Sequence, residues 1–93
     1  MNFETLCVQG AKDKSNTTGA IAVPIYQSAT FSHPGVNQST GYDYSRLQNP
    51  TREALENIVA RLEGGFDAMA FSSGMAAIAS LFEMFSAGDH IIA

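Results

Sequence analysis

Ninety-three residues permit at most one small domain, and a single core at this size is marginal. The net charge of −4, with Lys12, Lys14, Arg46, Arg52 and Arg61 forming no long cluster, argues against nucleic acid as the main partner. No apolar run approaches membrane-spanning length, no signal-peptide pattern opens the chain, and the lone Cys7 supports neither a disulfide framework nor zinc spacing. A cytoplasmic location follows as the default. Asn16-Thr17-Thr18 and Asn37-Gln38-Ser39 match the glycosylation acceptor pattern, and without a secretory signal both are read as chance.

Residues 1–10 predict a short helix with Phe3, Leu6 and Cys7 toward one side. Residues 11–20 are polar and turn-rich and read as a loop. Residues 21–33 look extended, and Pro24 argues against an interior strand. Residues 34–43, with Pro34, Gly35 and Gly41, read as another loop. The first half is thus largely irregular, and long structureless connections are uncommon unless they serve another surface. An arm over residues 1–48 that packs on a neighbouring subunit is the organisation expected.

Residues 49–93 read as the start of an α/β layer. Asn49 suits an N-cap, Pro50 the first helical position, and Glu53 the first turn. Leu55, Ile58, Val59 and Leu62 recur at helical spacing until Glu63-Gly64-Gly65 stops the helix. Residues 67–71 have the length and apolarity of a strand. A second helix is predicted from about Met75 to Ser86, with Ile78, Leu81, Phe82 and Phe85 on one face. His90-Ile91-Ile92-Ala93 begins another apolar run, read as a parallel strand beside 67–71. Such a layer is incomplete, because two parallel strands leave both edges and most of their faces uncovered. The chain is therefore expected to be part of a larger protein.

The turn Phe71-Ser72-Ser73-Gly74-Met75 lies between that strand and that helix. A helix start leaves backbone N–H groups unpaired, and the helix dipole adds positive potential there. This suits a phosphate or carboxylate, and Gly74 lets a ligand oxygen approach the backbone closely. The plain alternative is a βα connection capped by Ser72 or Ser73. Upstream, Tyr44 and Arg46 in Tyr42-Asp43-Tyr44-Ser45-Arg46 fall on the same side of an extended segment and could grip one anion. The alternative there is a surface pair between Arg46 and Glu53 or Glu56, with Tyr44 simply packing. His33 and His90 lack metal-site spacing, so no metal site is expected; Met69, Met75 and Met84 read as core filler. Ser72 and Ser73 do not form a nucleophile elbow.

Tyr-Asp-Tyr-Ser-Arg (42–46), Asn-Pro-Thr (49–51), Leu-Glu-Gly-Gly (62–65), Ser-Gly-Met-Ala-Ala-Ile (73–78) and Gly-Asp-His-Ile-Ile (88–92) occur in one order with family-like spacing. In these motifs, and in Pro24-Ile25-Tyr26-Gln27-Ser28-Ala29-Thr30-Phe31, the chain resembles the N-terminal part of the Cys/Met-metabolism family of pyridoxal phosphate enzymes. That family includes cystathionine γ-synthase, cystathionine γ-lyase, methionine γ-lyase and O-acetylhomoserine sulfhydrylase. The resemblance implies an N-terminal arm plus the first elements of a fold-type I transferase large domain. It implies backbone N–H groups of Gly74 and Met75 on the cofactor phosphate, with Tyr44 and Arg46 reaching the phosphate from the adjacent subunit. It also implies a homo-oligomer, a dimer of dimers, that performs γ-elimination or γ-replacement on sulfur amino acids or activated homoserine esters. The family's Schiff-base lysine lies far downstream, and neither Lys12 nor Lys14 matches its motif. No catalytic residue is therefore assigned, and the chain alone is expected to have no turnover. The alternative is a non-catalytic oligomerising or anion-binding module.

Overall fold

The computed structural model describes residues 1–11 and 17–93. Lys12, Lys14 and Asn16 lie outside the described residues. Among the described residues there are three helices: α1 (Phe3–Gln9), α2 (Pro50–Glu63) and α3 (Gly74–Phe82).

The helix α1 starts where Asn2 Oδ1 accepts the Thr5 N–H at 2.9 Å, which satisfies one of the orphan donors of a first turn. Leu6 is half-buried, whereas Phe3 and Cys7, expected beside it, are exposed. At the other end Gly10 is buried against α2: a Cβ there would lie 3.0 Å from Ile58 Cδ1 and 2.4 Å from the Leu6 carbonyl oxygen. Arg61 Nη1 donates to the Gly10 carbonyl at 2.6 Å, so a cation closes the negative end of α1.

The central helix α2 is capped as its sequence predicts. Asn49 Oδ1 accepts the Thr51 N–H at 2.9 Å, and Gly64 takes φ 65°, the left-handed stop. The preceding segment is tied to this cap. Thr51 Oγ1 accepts the Tyr26 N–H at 2.9 Å and donates to the Pro24 carbonyl at 3.3 Å. Asn49 Nδ2 donates to the Tyr26 carbonyl and to Ser45 Oγ, at 3.1 and 3.0 Å. An antiparallel bridge joins Thr30 to Tyr44, flanked by Phe31 N–H to Asp43 O at 3.2 Å and Ser45 N–H to Ala29 O at 2.9 Å. The Phe31 and Tyr42 rings pack with centroids 5.7 Å apart.

Two strands expected from the sequence are absent among the described residues. Residues 67–71 form no ladder: the Ala70 N–H is taken by Glu56 Oε1 at 2.8 Å, and the Ala68 N–H by Asp67 Oδ1 at 2.8 Å. Residues 90–93 likewise form no strand. A strand exists through its neighbours' hydrogen bonds, and apolar length alone does not supply them. The second predicted helix is also shorter, ending at Phe82 rather than near Ser86. The Met84 and Phe85 N–H groups instead make tight turns to Leu81 and Phe82, and Asp89 Oδ2 accepts the Ser86 N–H at 2.7 Å.

Burial is sparse. Ala60 is the one buried apolar side chain among the described residues, at 9% exposure. Met69, Met75 and Met84, read as core filler, are exposed, because no element among the described residues covers them. The radius of gyration is 16.7 Å, where a compact chain of this length would have about 12 Å. The accessible surface is 7820 Å², against about 5,200 Å² for a compact domain of the same mass. Among the described residues the apolar face of α2 is covered only in part, by α1 at Ile58, and that of α3 is largely uncovered.

Gly10→Ala tests the α1–α2 joint. The added methyl meets Leu6 and Ile58, so the protein carrying this chain should lose about 1–3 kcal/mol in thermal or urea unfolding. An unchanged midpoint would show that α1 shifts freely on α2.

Candidate functional site

The helix α3 begins directly after the hydroxyl- and glycine-containing turn. Ser73 is its N-cap: Ser73 Oγ accepts the Ala76 N–H at 3.1 Å, and Ser73 O accepts the Ala77 N–H at 3.2 Å. The two preceding N–H groups, of Gly74 and Met75, have no acceptor among the described residues. A Cβ on Gly74 would meet nothing within 4 Å, and its φ is not positive. Neither crowding nor backbone strain within this chain therefore requires glycine at position 74. The open face above it suits an oxyanion approaching the backbone.

The arm presents the second pair. Arg46 Nη2 donates to Tyr44 Oη at 2.8 Å, and the guanidinium carbon lies 5.0 Å from the centre of the Tyr44 ring. The phenol and guanidinium thus act as one unit, with Arg46 exposed and Tyr44 half-buried. Among the described residues Arg46 forms no ion pair with Glu53 or Glu56, both of which are engaged elsewhere. Glu53 accepts from Tyr42 Oη, and Glu56 pairs with Arg52 at 3.6 Å and accepts from Ala70.

The turn that carries the pair is tight: the Tyr44 carbonyl accepts both the Leu47 and the Gln48 N–H at 2.9 Å. Its next carbonyls would lack partners, and Arg52 supplies them. Arg52 Nη1 reaches Ser45 O at 3.1 Å and Arg46 O at 3.4 Å, and Nη2 reaches Leu47 O. Sequence reasoning assigned Arg52 no task beyond the helix start. The i, i+4 spacing of Arg52 and Glu56 was a legible signal for their ion pair. The capture of carbonyls from the preceding turn was not.

Tyr44 and Arg46 are thus brought together, and so are Gly74 and Met75. No hydrogen bond or ring contact joins one pair to the other among the described residues. A cleft of about 510 Å³ beside α2 is lined by Arg46, Asn49, Arg52 and Glu56 and extends along 67–71 to Phe71. His33 Nε2 lies 2.9 Å from Asp43 Oδ1 on an exposed loop, and no group of metal-ligating side chains occurs among the described residues. No described helix is long and apolar enough to cross a membrane.

Residues 4–93 match the family described as Cys/Met metabolism PLP-dependent enzyme. The chain belongs to that family. It is 50% identical over 91 residues to a cystathionine beta-lyase of Lactococcus lactis subsp. cremoris, covering 98% of this chain and 24% of the relative. It is 49% identical over 92 residues to a cystathionine gamma-lyase of Bacillus subtilis, covering 99% of this chain and 24% of the relative. The crystal structure of cystathionine gamma-lyase from Lactobacillus plantarum, complexed with L-serine, superposes with a TM-score of 0.86 at 49% identity. That match covers 97% of this chain and 23% of the solved chain. The chain therefore spans about a quarter of the length of these relatives. The family likeness also adds a β-lyase to the γ-acting enzymes suggested by the sequence motifs.

Gly74→Ala separates folding from ligand binding. With open space around the Cβ and a helical position that favours alanine, stability should hold or rise by up to about 1 kcal/mol. Affinity for a phosphate-bearing ligand should fall. Parallel calorimetric unfolding and cofactor titration would check both, and a loss of stability without a loss of affinity would contradict the assignment.

Proposed function

We propose that this chain carries the phosphate-gripping part of a pyridoxal 5'-phosphate enzyme of sulfur amino-acid metabolism, a lyase or synthase. The observation that carries the reading is the start of α3, where the Gly74 and Met75 amides lack acceptors under an open glycine face. The donor set fits a phosphate: two backbone N–H groups with the helix dipole behind them, and a guanidinium already oriented by a phenol.

In this reading Gly74 and Met75 bind the phosphate of their own subunit. Tyr44 and Arg46 reach the phosphate of the adjacent subunit. Residues 1–48 form an arm on the neighbouring subunit, and residues 49–93 open a fold-type I large domain. The exposed apolar side chains of α2 and α3 support packing against further parts of such an assembly, a dimer of dimers in the cytoplasm. When bound, pyridoxal phosphate supplies an electron sink for charge developing on the amino-acid substrate. The contribution of this chain is to hold and orient the phosphate end, so that the reactive end meets groups outside residues 1–93.

The substrates proposed are sulfur amino acids or activated homoserine esters, undergoing elimination or replacement. The chain resembles a β-lyase, a γ-lyase and a γ-synthase at 50, 49 and 46% identity. Near-equal likeness to enzymes of different reactions singles out none of them for this chain. The lysine that carries the cofactor is likewise assigned to the portion of the relatives that the chain does not span.

Borohydride reduction of the full-length holoenzyme should add one phosphopyridoxyl mass to a lysine outside residues 1–93, read by peptide mass spectrometry. The 93-residue chain with added cofactor should show no lysis or exchange of a sulfur amino acid. Arg46→Ala in the full-length protein should weaken cofactor binding by about tenfold or more, the scale of one hydrogen bond to a charged group, and Tyr44→Phe by less. Wild-type affinity in Arg46→Ala would remove the fork from the site.

A further inference from the structure

Arg52 and Glu56 lie on one face of α2, one turn apart, and neither is assigned a role by the reading above. The guanidinium of Arg52 brackets the carbonyls of Ser45, Arg46 and Leu47, the turn from which Tyr44 and Arg46 project. Its Nε lies 3.6 Å from Glu56 Oε1. That same oxygen accepts the Ala70 N–H at 2.8 Å, in the segment that runs into Ser73-Gly74-Met75. Both side chains are largely shielded, at 31 and 21% exposure, so solvent screens the pair only in part. A continuous polar connection thus runs from the backbone of the fork, through two side chains of one rigid helix, to the backbone leading into the turn.

We infer that Arg52 and Glu56 are a positioning couple that sets the Tyr44–Arg46 fork and the Gly74–Met75 turn from a single helix. The inference rests on the phosphate reading proposed above. Under that reading the two ends of the couple serve different active sites of a dimer, since the fork reaches across and the turn does not.

The chemistry singles out arginine. A tight turn held by the Tyr44 carbonyl directs its next carbonyls to one side, where they need donors. A planar guanidinium offers donors to several of them at once while its Nε faces a carboxylate. A lysine ammonium at the end of a flexible stem matches the charge but not this spread. The Glu56 carboxylate in turn satisfies an Ala70 N–H that has no strand neighbour and holds Arg52 in position by its charge.

The test uses the full-length holoenzyme and its apo form. Cofactor affinity is measured by titration, and the environment of the bound phosphate by its ³¹P resonance, for Arg52→Lys, Arg52→Ala, Glu56→Gln and Arg46→Ala, with Gly10→Ala as a stability control remote from the couple. Arg52→Lys should weaken cofactor binding by about tenfold and shift or broaden the ³¹P line, since it loses charge-assisted bonds to the turn. Arg52→Ala should weaken binding at least as much. Glu56→Gln should have a smaller effect, because its amide oxygen can still accept the Ala70 N–H. Gly10→Ala should lower the unfolding temperature and leave affinity and the ³¹P line unchanged.

Full rescue by Arg52→Lys, or affinities that follow unfolding temperature through every variant including Gly10→Ala, would overturn the inference. Loss of affinity in Arg46→Ala with wild-type behaviour in Arg52→Lys and Arg52→Ala would overturn the couple while leaving the phosphate reading intact. Wild-type affinity in Arg46→Ala would overturn both.

Discussion

The arrangement of this chain depends on the polar cap at the start of α2. Asn49 uses its whole side-chain amide there. The oxygen caps the helix through Thr51, and the nitrogen holds Tyr26 and Ser45. Thr51 adds a second grip on the 24–26 segment. Pro50 between them has no N–H to satisfy and a φ already suited to a first turn. The Asn-Pro-Thr run is therefore both a helix start and a clasp for a distant segment. An irregular stretch that buries little apolar surface can hold a defined path only through such directional bonds.

From that cap the structure extends in two directions. Toward the N-terminus, Ser45 joins the Asn49 amide to the 28–31 segment, and the short bridge at Thr30 and Tyr44 leaves Arg46 at the surface, bonded to the Tyr44 phenol. Along α2, Arg52 and Glu56 carry the connection to Ala70 and so toward the turn that opens α3. The turn carrying Tyr44 and Arg46 and the segment leading into Gly74 and Met75 are thus both held by polar contacts with the same helix. Apolar packing contributes at the α1–α2 joint, where Gly10 allows close approach to Ile58.

The exposed apolar surface is the other constraint. Phe66 is fully exposed, Ile92 is 92% exposed and Met75 is 70% exposed. A free-standing domain rarely leaves so much large apolar surface uncovered. Family membership gives this a simple physical setting, because the chain matches about a quarter of the length of its relatives. Its helices α2 and α3 each carry one apolar face at helical spacing.

Local features were legible in the sequence because local chemistry determines them. The caps at Asn49, Gly64 and Ser73 follow from side-chain oxygens and glycine within a turn of the helix ends. The acceptor-free amides at Gly74 and Met75 follow from the start of a helix. Tyr44 and Arg46 were expected on one side of an extended segment, whereas residues 45–47 form a tight turn, and it is that turn that brings the guanidinium onto the phenol. The ordered motifs also pointed to the family that the comparisons then established. The tertiary structure alone decided the rest. The expected strands at 67–71 and 90–93 did not form, since apolar length cannot create the hydrogen-bonding neighbour that a strand requires. Met69, Met75 and Met84 remained exposed, since hydrophobicity favours burial without supplying a covering element. The bracketing of residues 45–47 by Arg52 depended on how the chain folds back on α2. No sequence spacing encodes that geometry, because it arises only when a turn and a helix start are held together by the Asn49 cap.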